Sequence, residues 1–90
     1  MGRELMAMML SRNALDEIER RCAATTPGPW QSMVEARGRF SGSDFIQTGG
    51  NDIYLTGATV ADQDFMASAK QDIPLLIAEV RSLQAKLGLS

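Results

Sequence analysis

The sequence predicts an α+β fold, on three observations. Apolar residues recur at helical spacing near the start, two short runs of alternating polarity flank a Gly-Gly-Asn turn, and an apolar ladder at spacings of three and four fills the C-terminal part. The expected order is an N-terminal helix, a three-stranded antiparallel β-meander, and a kinked C-terminal helix pair packed on one sheet face. Residues 1–10 are expected as a flexible or helical leader and residues 11–90 as a single domain of this kind.

The first helix starts near Asn13, whose side chain can cap a free amide, with Asp16 and Glu17 favouring the positive helix end. Asp16 with Arg20 and Glu17 with Arg21 are spaced to pair on the solvent face, leaving Leu15, Ile18 and Cys22 as the buried stripe. Met8 and Ser11 extend that stripe backwards. Four of the six methionines fall in the first ten residues, so Met6, Met8 or Met9 is an alternative start of translation. The helix runs out at "AATTPGPW": Pro27 pushes Thr26 out of the helical region, and Gly28 is free to take positive φ before Pro29. Trp30 leaves this rigid corner where its indole can pack back across the helix, provided its N–H finds an acceptor.

From Trp30 to Arg37 the alternation predicts a first strand with Trp30, Val34 and Ala36 on one face. The runs "DFIQT" and "DIYLT" about "GGN" predict the second and third strands as a hairpin whose turn uses positive φ. A loop at Gly49-Gly50 pairs Ile46 with Ile53, and one at Gly50-Asn51 pairs Ile46 with Leu55. Both registers put Ile46, Ile53 and Leu55 on one face and Phe45 and Tyr54 on the other.

Thr59 with Asp62 fits a capping box, although Asp62 itself is an alternative cap. Met66, Ala69, Ile73, Leu76, Val80, Leu83 and Leu87 then form the ladder. Pro74 predicts a break, with a short helix to about Gln71, Asp72 as a fresh cap, and a second helix to about Leu87 ended by Gly88. The ladder reads either as a core face or as a coiled-coil seam with another copy, and Leu75 and Ile77, off the ladder, offer a second surface. The expected core is Trp30, Ile46, Ile53, Leu55, Phe65, Ile73, Leu76 and Val80, with Pro27, Gly28, Pro29, Trp30, Phe65 and Pro74 as structural anchors.

Composition narrows the function classes. A chain of 90 residues buries only about 60 to 65% of its unfolded surface, so association with a second copy would add stability. The formal charge of −2 provides no global field for polyanions. The lone Cys22 excludes an internal disulfide and fits a reducing cytoplasm. With no histidine in the chain, imidazole acid–base chemistry, the usual nucleophilic triads and His-based metal sites have no residue to carry them. The run "LMAMML" is too short to span a membrane.

Few residues remain to carry function. Arg37, Arg39 and Phe40 set two guanidiniums beside an aromatic ring, which is phosphate-gripping and base-stacking chemistry in a loop where solvated arginines are also ordinary. With Phe45 and Tyr54 they form the candidate partner surface. Asp62, Asp64 and Asp72 invite a metal reading, but helix capping accounts for acids at two of these positions. No cofactor is expected.

Two segments carry a family resemblance. "TPGPW" at residues 26–30, with "DQDFMASAKQDIPLLIAEVRSLQ" at residues 62–84, resembles a group of small phage and prophage proteins similar to the Ead-like early phage proteins. In their pattern an Ala-Thr-Pro-Gly-Pro-Trp corner precedes an Asp-x-x-Phe-Ile-Ala helix and an Asp-Val-Pro-x-Leu-Leu-x-Glu-Val segment. The likeness covers residues 12–87, with Thr25 in place of the usual alanine and Met66 in place of isoleucine. It implies a phage origin and an accessory role, and no activity. The functional expectation is a cytoplasmic, non-catalytic protein-interaction module that self-associates, most simply as a dimer. The alternative is a binder of a nucleotide or nucleic acid through the loop from Arg37 to Phe40 and the exposed sheet face.

Overall fold

A computed structural model describes residues 10–38 and 42–88. Helix α1 (Arg12–Ala24) is followed by strands β1 (Gln31–Met33) and β2 (Phe45–Gln47) and by a 27-residue helix α2 (Val60–Lys86). The fold is α+β, with α2 lying across a two-stranded antiparallel sheet and alongside α1.

Helix α1 is capped two residues earlier than the sequence suggests. Ser11, in extended backbone, accepts from the Ala14 amide at 3.1 Å, so Ser11 and not Asn13 is the cap. Glu17 pairs with Arg21, as its spacing requires, and with Arg20. Asp16 turns away from Arg20 to meet Arg81 of α2 at 2.8 Å, because a residue on the second helix is nearer in space than its expected neighbour. The helix stops at Ala24, where Thr25 folds its hydroxyl back onto the Cys22 carbonyl at 2.7 Å.

The corner then turns through a cis Gly28–Pro29 peptide, and Gly28 does not take positive φ. The expected hairpin turn packs directly against it. The Gly49 amide donates to the Pro27 carbonyl at 2.7 Å, and a Cβ on Gly49 would lie 2.8 Å from that same oxygen. Glycine is therefore required at 49 for close backbone approach, not for the positive φ expected of a tight turn.

The sheet is smaller than expected. β1 pairs with β2 in the register Gln31↔Gln47, Ser32↔Ile46, Met33↔Phe45. β1 ends at Met33 because the chain turns over Val34, whose carbonyl accepts from Arg37 and Gly38, leaving Val34 buried and Ala36 exposed. In place of a third strand, Ile46 and Ile53 exchange two 2.9 Å hydrogen bonds in one isolated bridge, which is the register with Gly49-Gly50 at the turn. Phe45 and Tyr54 stack with ring centroids 5.5 Å apart.

Helix α2 opens with the capping box, Thr59 and Asp62 exchanging 3.0 Å hydrogen bonds, and ends with Leu87 as cap before Gly88 at φ 74°. Between these ends the helix is continuous. Pro74 lies inside it and Asp72 caps nothing, so the expected helix pair is one element. An interior proline costs about 3 kcal/mol, and the contacts α2 makes along its length with β1, β2 and α1 offset that.

The core is also placed differently. Leu15, Val34, Ile46, Ala67 and Ile77 are buried, together with Gln63. Of the expected core only Ile46 is fully enclosed; Trp30, Ile53, Leu55 and Val80 are half-buried, and Phe65, Ile73 and Leu76 are exposed. Phe65, with 74% of its surface in solvent, is not an anchor of this fold.

Candidate functional site

The faces of α2 explain the displaced core. The side turned to the rest of the molecule is rich in long polar residues, which reach backbone oxygens and carboxylates on other elements. Gln63 donates through Nε2 to Ser32 Oγ, the Met33 carbonyl and the Phe45 carbonyl at 2.9, 3.2 and 3.0 Å, tying both strands to the helix. Gln71 brackets Trp30: its Oε1 accepts from the Trp30 amide at 2.8 Å and its Nε2 donates to the Trp30 carbonyl at 3.2 Å. Lys70 Nζ donates to the Cys22 carbonyl and to Thr25 Oγ1 at 3.1 and 2.7 Å, where the negative end of α1 favours a cation. Arg81 reaches Asp16 and Glu19 of α1, which raise its pKa, the hydrogen bond to Asp16 foremost. Gln84 donates to the Leu10 carbonyl at 2.8 Å.

This docking face has a sequence signal that the apolar ladder obscures. Gln63, Lys70, Ile77 and Gln84 recur every seven residues, so a second stripe of the same period runs along α2 beside the ladder.

The ladder itself faces outward. Phe65, Met66, Leu76, Leu83 and Leu87 are exposed, Ile73 lies at the edge of exposure, and Ala69 and Val80 are half-buried between them. Ile77, expected off the core, is inside it. Leu75 is exposed, off the ladder, as expected.

Beside the ladder lies an apolar groove of about 320 Å³ between α1, the proline corner and α2. Ile18, Cys22, Trp30, Ala69 and Ile73 line it, with Arg21, Thr25 and Lys70 at its polar edge. The indole Nε1 donates to the Thr26 carbonyl at 2.9 Å, which supplies the acceptor its position requires. The Lys70 ammonium stands 5.8 Å from the ring centroid, within cation–π range. Ala69 and Ile73 belong to the ladder as well as to the groove, so the two apolar surfaces are continuous.

Three residues of the expected partner surface, Arg37, Phe45 and Tyr54, are among the described ones. Phe45 and Tyr54 are together, with Tyr54 exposed. Arg37 is engaged elsewhere, donating through Nη1 and Nη2 to the two oxygens of Asp64 at 3.0 Å each. That pairing holds the Asp64 carboxyl below its ordinary pKa, with a second hydrogen bond from Ser32, and raises that of Arg37. Arg39 and Phe40 lie outside the described residues. Asp62 is held in the capping box and Asp64 by Arg37. Among the described residues no group of three or more His, Cys, Asp or Glu is placed to hold a metal ion, and no helix is long and apolar enough to cross a membrane.

Comparison with protein-family models, with characterised proteins and with solved structures gives no significant match for this chain.

Proposed function

We propose that the chain is a non-catalytic interaction module that associates with a second copy of itself through the outward ladder of α2. The observation that carries this reading is the use of the polar side of α2 for docking while its apolar side faces solvent. Phe65, Leu76 and Leu87 are 74, 62 and 70% exposed, and Leu83, Met66 and Ile73 48, 41 and 36%. A run of large apolar side chains exposed along one face marks an interaction surface in a soluble protein. About six turns of helix, from Phe65 to the cap Leu87, present this surface as one strip, which is self-complementary in the manner of a two-fold pair.

The non-catalytic part of the reading rests on the residue inventory, in which no histidine stands beside the single half-buried cysteine. The proline corner and the Asp62–Gln84 segment support a phage or prophage origin through their resemblance, and the lone thiol supports a cytoplasmic setting. The nucleotide-binding alternative keeps the exposed Tyr54, but among the described residues the Arg37 guanidinium it would use is satisfied by Asp64. Sedimentation equilibrium over rising protein concentration tests the proposal: a reversible dimer is expected, and a strict monomer at the highest concentration contradicts it.

A further inference from the structure

Phe65 is a large ring without a home, and the groove beside Trp30 is an apolar cavity without a ring. We infer that they belong together across the dimer: α2 pairs in parallel with its copy, and Phe65 of each chain fills the Trp30 groove of the other. This rests on the self-association proposed above and adds its orientation and its anchor.

Heptad geometry leads to that arrangement. With Ile73 and Val80 at the central a positions and Leu76 and Leu83 at d, the middle of the seam has the β-branched a and leucine d pattern that favours two parallel strands, Met66 and Leu87 taking the outer a positions and Ala69 the first d. Phe65 then falls at g and Lys70 at e. In a parallel pair the g residue of one chain lies beside the e residue five positions further along the partner. Phe65 is thereby set beside the partner's Lys70, which is at the edge of the groove. An engineered apolar cavity of about 150 Å³ binds benzene, so the groove's volume of about 320 Å³ accepts a phenylalanine ring.

Charge agrees with the same orientation. The partner's Lys70 ammonium, already over its own indole at 5.8 Å, offers Phe65 a second cation–π contact. In parallel pairing the e positions set opposite the acidic g residues Asp72 and Glu79 are Ile77 and Gln84, neither of them an acid. Antiparallel pairing over the whole ladder sets g against g, bringing Glu79 against its own copy and taking Phe65 away from Lys70.

The native thiol makes the contact testable in the full chain. Cys22 lines the groove, and Phe65→Cys puts a second thiol where the ring stands. Diamide, as the two-electron oxidant, is expected to join Cys22 to position 65 of the other chain, giving a species of twice the chain mass and a mixed disulfide peptide. Linkage between two copies of the same position, or no linkage in a sample that sediments as a dimer, overturns the groove assignment and leaves self-association standing. A wild-type chain that never dimerises overturns both. Because the cysteine variant lacks the proposed anchor, Trp30, the only tryptophan, provides a second reading. Its emission is expected to shift to the blue as wild-type protein is concentrated. Phe65→Ala is expected to abolish the shift and loosen the dimer roughly thirtyfold; an unchanged shift in that variant counts against the groove.

Discussion

Gln63 is buried against a hydroxyl and two strand carbonyls, and its amide is their donor from α2. Gln63→Leu keeps the bulk and removes the donor, leaving acceptors in a site that excludes water. A loss of about 1–3 kcal/mol is expected, read as a lower urea midpoint at unchanged slope, and an unmoved midpoint contradicts the role. Ser32 continues the chain of contacts, accepting from Gln63 and hydrogen-bonding to Asp64, which also receives both Arg37 donors. Folding lowers the Asp64 pKa, so this contribution is present above the carboxyl's unfolded value and is lost as pH falls through the lowered folded one. An NMR titration should place the Asp64 midpoint below that of an ordinary aspartate, and Arg37→Ala should move it up; a midpoint unmoved by that change removes the pairing. Residues whose partners are local were legible in the sequence: Thr59 with Asp62, Glu17 with Arg21, and the indole with the corner it leaves. Gln63 and Gln71 were not, since their partners lie on the two strands and on Trp30 just before them, 18 to 41 residues away.

At the scale of elements, local punctuation located the ends and missed what tertiary contacts decide. The stop at Ala24, the start after Thr59 and the finish before Gly88 follow from capping and proline chemistry near each boundary. The same chemistry predicts a break at Pro74, where the helix in fact continues, held by contacts with α1 and both strands. Pro74 is exposed, so Pro74→Ala should restore the missing amide donor without opening a cavity. After allowance for the freer unfolded chain, about 1–3 kcal/mol of stabilisation is expected, seen as a higher Tm; a lower Tm would mean that the proline shapes a contact α2 needs. The third strand shrinks to one bridge because the turn at Gly49 is drawn onto the Pro27 carbonyl, a contact that alternation of polarity cannot register.

The whole molecule is elongated. Its radius of gyration is 17.0 Å and its extents are 53 × 25 × 19 Å, against a radius of roughly 12 Å for a compact chain of this length. The ladder was legible as a periodic signal and its destination was not, because a core face and a seam with another copy share the same spacing. The contacts of the polar stripe distinguish them: with Gln63, Lys70, Gln71, Arg81 and Gln84 turned inward, the leucines are left outside. The most direct measurement is therefore made on Leu76→Glu with Leu83→Glu, following association by sedimentation and folding by urea unfolding of the monomer. The expected result is a monomer whose own stability changes by less than about 1 kcal/mol, as for surface positions. A variant that unfolds, or loses the several kcal/mol typical of a disrupted core, would place those leucines inside the fold and contradict the account.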